Sequence, residues 1–156
     1  MSDRGIATVL AESTCDVLER MFFLELAPLA DAPTPRDPIT AEVTFAGDPP
    51  GRFSLTMERE AARMAAADFL GADPEEIVSH QQDEVVCELA NMICGSVLSQ
   101  IESDVTFRLE QPVVADAREA VRPPAGATFD ASIRGGTLHA EIRMETVECP
   151  VTERVF

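Results

Sequence analysis

At Ile39 the spacing of apolar side chains changes, and that change constrains the fold of this chain more than any other feature. Before it, in "IATVLAESTCDVLERMFFLEL" (residues 6–26), Ile6, Val9, Leu10, Val17, Leu18, Met21 and Phe22 recur every three or four positions, the period of a helix covering a core on one side. After it, Ala41, Val43 and Phe45 alternate with Thr40, Glu42 and Thr44, and Phe53, Leu55 and Met57 alternate with Ser54 and Thr56. That is the period of two half-buried strands joined as a hairpin. Between the two regimes, "APLADAPTPRDP" carries prolines at 28, 33, 35 and 38 and cannot continue a helix, so an exposed connecting loop is expected. The helical period then returns. Residues 58–70, "EREAARMAAADFL", are alanine-rich and end at Gly71, a good helix stop, and a longer helix is expected over 81–102. Finally, Val105, Phe107 and Leu109 alternate until Pro112, and residues 127–148 form two alternating runs around Gly135 and Gly136. A Gly-Gly pair supplies the positive φ angles of a two-residue hairpin turn. The predicted order is α-β-β-α-α-β-β-β, an α+β fold with a largely antiparallel sheet and helices packed on it.

A chain of 156 residues with 46% apolar content can build one ordinary core, so a single domain over 1–156 is expected. Its formal charge of −16 argues against nucleic acid or an anionic membrane surface as a partner. The charge serves solubility in the simplest reading and steers basic or metal-bearing partners in the alternative. No apolar run approaches the ~18 residues of a spanning helix, and the start "MSDRGIATVLAEST" lacks the apolar core of a secretory signal. A cytoplasmic protein without membrane insertion is expected. Cys15, Cys87, Cys94 and Cys149 show no CxxC spacing, and His80 and His139 stand apart from them. Free, mostly buried thiols and no metal bound by this chain are predicted.

The long helix, "DEVVCELANMICGSVLSQIESD", has two distinct faces. On a helical wheel Val86, Leu89, Ile93 and Val97, flanked by Val85 and Met92, form the core side. The opposite side collects Gln81, Glu84, Glu88, Asn91, Gly95, Ser99 and Glu102, with Glu88, Asn91 and Gly95 on successive turns of a narrow, flat patch. On spacing alone, Glu88 and Asn91 read as solvated residues and Gly95 as a point where another backbone crosses. Asparagine is a costly choice for such a face, by several tenths of a kcal/mol against alanine.

The string "ELANMICG", followed by "VTFRLEQP", resembles the signature of the CheC/CheX chemotaxis phosphatase family, a helix bearing Glu-x-x-Asn with a proline some twenty residues on; Pro112 stands twenty-one positions after Asn91. "DFLG", the amphipathic first helix and the 39–57 hairpin also fall in that family's order. The resemblance implies a phosphatase acting on the phospho-aspartate of a CheY-like response regulator, with Glu88 and Asn91 as its catalytic pair. Asn91, neutral and able both to donate and to accept, would hold the attacking water, and Glu88 would dock against a cation of the regulator. Glu84, four residues before Glu88, and Gly95 would meet the partner. Mg²⁺ would come with the regulator and not from this chain. The region where CheC-type members carry a second motif offers Glu12 followed by Cys15, so one site per chain is implied, as in the CheX type. The resemblance also admits a homodimer through the strands of 127–148. The alternative function is a non-catalytic module on the same fold, related to flagellar-switch components, that holds a receiver without hydrolysing its phosphate.

Overall fold

The computed structural model describes residues 3–21, 24–47, 50–101, 107–115 and 126–144. Phe22, Glu102, Val105, Cys149 and the 145–148 end of the last expected strand lie outside these residues.

Helix α1 (Asp3–Asp16) runs into a π-helical turn, Val17–Met21, and ends earlier than its apolar period suggests. The Leu24 amide returns to the Leu18 carbonyl at 2.9 Å, which closes the helix and turns the chain so that Leu24 is buried. The proline-rich connection contains a two-residue strand, β1 (Ala27–Pro28), and the expected hairpin follows as β2 (Pro38–Ala46) and β3 (Gly51–Glu58). Helix α2 (Arg59–Leu70) stops at Gly71, which is left-handed at φ 68° as anticipated for a glycine stop. After a short 3₁₀ turn, Pro74–Glu76, comes α3 (Ser79–Ile101). The edge strand is split into β4 (Arg108–Leu109) and β5 (Val113–Ala115), and the late hairpin is β6 (Ala127–Ile133) and β7 (Gly136–Met144).

Among the described residues all pairings are antiparallel, in one seven-stranded sheet of order β1-β6-β7-β3-β2-β4, with β5 also on β2. Helices α1, α2 and α3 lie on one face: α1 against β6, α2 against β3 and β7, and α3 across β2 and β3. Strand alternation sends Val43, Phe45, Phe53, Leu55, Leu138 and Ile142 to that side, where they meet Leu89, Ile93 and Val97 of α3 in one buried cluster. Among the described helices, α3 is long and apolar enough by length and composition to cross a membrane, but its apolar side is the one packed on the sheet.

In the late hairpin Ile133 pairs with Gly136, so the two loop residues are Arg134 and Gly135, one place earlier than the Gly-Gly pair suggests. Gly135 takes φ 91°, and a Cβ there would come within 3.0 Å of the Ala61 Cα and the Glu60 carbonyl. The turn abuts the start of α2, and that close approach is what demands glycine.

Candidate functional site

Two anchors set the direction of α3. The buried Gln82 accepts a 2.9 Å hydrogen bond from Arg59 Nη1 at the start of α2, and Arg59 also reaches Asp37 at 3.3 Å and Asp83 at 3.7 Å. Gln81 takes the Val78 amide at 2.8 Å, satisfying a donor that the helix start would otherwise leave open. With Leu89, Ile93 and Val97 held in the core, the helical period turns Glu84, Glu88 and Asn91 away from it. Glu84 and Glu88 are exposed and Asn91 is half-buried. Neither Glu88 nor Asn91 makes a side-chain hydrogen bond or ion pair with another described residue, whereas Glu84 lies 3.2 Å from His80 Nε2.

The expected flat patch is instead the floor of a cleft of about 980 Å³. On one side stands the last turn of α2, with Ala66, Phe69 and Leu70; on the other stands the edge-strand segment Leu109–Pro112. A bulge raises that second wall. Phe45 pairs with Leu109 and Glu42 with Val113, so the two β2 residues between them face three on the edge strand, Glu110, Gln111 and Pro112. Glu110 keeps the ladder through its amide to the Thr44 carbonyl at 2.8 Å, and Pro112, without an N–H, interrupts it before it resumes at Val113. The proline picked out by its distance from Asn91 thus forms part of the same cleft.

Gly95 lies one turn beyond. A Cβ there would meet nothing nearer than Leu109 Cδ2 at 4.0 Å, so no described backbone crosses α3 at this point. On α1, the exposed Glu12 and half-buried Cys15 stand where a second motif would be sought.

Glu84, Glu88 and Glu110 put three carboxylates along the cleft, and among the described residues no arginine or histidine lines it. Cys87 is also there, but burial, reinforced by Asp83 and Glu84, pushes its thiol up from its ordinary value, which keeps it protonated and a poor nucleophile. Cys15, Cys87 and Cys94 are free, and among the described residues no three His, Cys, Asp or Glu side chains gather as metal ligands. Among the described residues the arrangement therefore offers no activated covalent nucleophile; it can hold a water at a neutral amide and pair a carboxylate with an incoming cation.

Phe69, Leu70, Glu110 and Gln111 fall within the strings "DFLG" and "VTFRLEQP" but were given no site role by sequence reasoning. A usable signal for the first two was present: the buried positions of α2 are all alanine, while its largest apolar side chains fall at its end.

Comparison with curated protein sequences finds no match. Among solved structures, the chain is similar to the chemotaxis protein CheX from Vibrio vulnificus, with 22% identity, 93% of this chain and 99% of the other covered, and a TM-score of 0.71. It is similar to CheX in the CheX–CheY–BeF₃–Mg²⁺ complex from Borrelia burgdorferi, with 15% identity, 89% and 97% covered, and a TM-score of 0.67. The FliM middle domain from Vibrio alginolyticus shares the fold more loosely, at 14% identity, 97% and 99% coverage and a TM-score of 0.55. The model of the chemotaxis phosphatase CheX family matches residues 39–129, a span that includes the hairpin, α2, the cleft helix and the edge-strand bulge. The chain therefore belongs to the CheX family of chemotaxis phosphatases.

Proposed function

We propose that this protein hydrolyses the phospho-aspartate of a CheY-like receiver at a single site on α3. One observation carries the reading: Glu88 and Asn91, one helical turn apart, open into the same cleft without a side-chain partner among the described residues. Buried or internally paired side chains would have no capacity left for a partner.

The reaction adds water to the phosphorus and breaks the aspartyl O–P bond, releasing a carboxylate and inorganic phosphate. Such transfers need in-line placement and charge stabilisation more than covalent help. The Borrelia complex, which contains CheY, BeF₃ and Mg²⁺, supports assigning the metal to the receiver. Asn91 holds the water through its carbonyl oxygen, and its amide stays neutral beside the anionic phosphoryl group. Glu88 pairs with a cation of the receiver, its lysine in this reading, and sets the docked register. Glu84 adds negative charge at the same contact, and Gly95 leaves room for the receiver's backbone.

The reading includes a homodimer. Both edges of β7 are already hydrogen-bonded within the sheet, so pairing through the late strands would use the outer edge of β6 beyond β1, or the sheet face opposite the helices. The fold shared with the FliM middle domain supports a second reading, a module that holds a receiver without hydrolysis. Phosphate release from a phosphorylated receiver decides between them. Acceleration that Asn91→Ala abolishes and Glu88→Ala weakens supports the phosphatase; binding without acceleration by the wild type supports the module.

A further inference from the structure

Helix α2 is unusual for a helix that only covers a core. Ala61, Ala62, Ala65, Ala66 and Ala67 are buried, whereas Phe69 and Leu70 are 53% and 50% exposed. The sequence has eight phenylalanines and no tyrosine or tryptophan, and Phe45 and Phe53 are spent on the core, yet Phe69 keeps about half of its surface exposed. Phe69 and Leu70 are also the upper wall of the cleft whose floor holds Glu88 and Asn91, with Leu109 and Pro112 facing them. Apolar walls around Glu84, Glu88 and Glu110 call for an occupant that is apolar along one side and cationic within.

We infer that Phe69 and Leu70 are the docking anchor for the phosphorylated receiver, inserted beside the basic group that Glu88 contacts. This rests on the phosphatase reading and adds to it the source of affinity and partner choice. A solvent-exposed ion pair contributes little and is screened by salt, so Glu88 can set the register but supplies little of the affinity. Burial of an exposed aromatic next to a polar contact is the usual composition of an energetic centre in an interface. Charge selects the occupant. A second copy of this chain brings another −16, its 12 arginines outnumbered by 28 carboxylates, whereas a receiver in the proposed reading presents a lysine to Glu88.

The test compares wild type, Phe69→Ala, Leu70→Ala and Phe69→Leu. Binding is measured to a CheY-like receiver loaded with Mg²⁺ and beryllofluoride, and phosphate release is followed from the phosphorylated form. Either alanine variant is expected to weaken binding by about 10- to 100-fold. The loss falls on the half-saturating concentration and not on the saturating rate, and Phe69→Leu recovers most of it. Unchanged affinity in both alanine variants overturns the inference while leaving the phosphatase reading intact. So does conversion of a dimer to a monomer at unchanged receiver affinity, since the anchor would then serve a second copy. A wild type that binds without accelerating release sinks the phosphatase reading, and the affinities still decide the anchor. A wild type that does not bind the loaded receiver overturns both.

Discussion

In the proposed reading, Asn91 and Glu88 divide the work of one helix face according to charge. An amide can sit beside a phosphoryl group without repelling it, and a carboxylate one turn away can take the cation that an amide would bind weakly. Cys94 shows how differently the other side of the same helix treats a polar atom. Fully buried, its thiol is pushed from 9.0 up to about 12 by loss of hydration. The unfolded thiol sheds its proton first as pH rises, so this contribution to stability is complete below about 9 and is lost on the way to 12. Urea titrations should therefore show wild type losing about 2 kcal/mol more than Cys94→Ala between about pH 8 and pH 10.5. An equal loss in both proteins would mean the thiol is hydrated. At this scale the sequence was most informative where helical period and chemistry coincided. The wheel placed Glu88 and Asn91 opposite Leu89 and Ile93, where the structure has them outside the core, but their assignment as a site came from the family resemblance; Phe69 was not picked out, because apolar side chains at a helix end look like core until the neighbouring elements are in place.

The elements themselves were largely legible, and what was missed depends on long-range pairing. The hairpin, the Gly71 stop and α3 follow from local period and turn chemistry. The edge-strand bulge does not, since it is a count of residues against β2, more than sixty positions away, and the loop of the late hairpin shifted by one residue because it packs on α2. Helix α3 also makes a prediction at Gly95, where no described backbone comes close and a glycine is costly. Gly95→Ala should raise stability to chemical denaturation by up to about 1 kcal/mol. If the receiver approaches there, the same substitution weakens receiver binding, and stabilisation with unchanged binding would remove Gly95 from the contact.

Taken as a whole, the molecule sets a local demand for a cation inside a field of −16. Long-range repulsion and short-range attraction therefore act oppositely on a net-negative receiver. Its association rate should rise as salt goes from about 0.01 to 0.1 M and the screening length falls from about 30 to 10 Å. A rate that falls instead would place a larger basic surface on the partner. The two-layer fold suits this task by packing α3 on one sheet face while the far side of that helix lines the cleft. The central claim is that the open side is a water-positioning surface. Its most direct test is the rate of phosphate release from a phosphorylated CheY-like receiver at saturating protein, wild type against Asn91→Ala. The account predicts acceleration by the wild type and decay at the receiver's own rate with the variant, which still binds; equal acceleration by both proteins would contradict it.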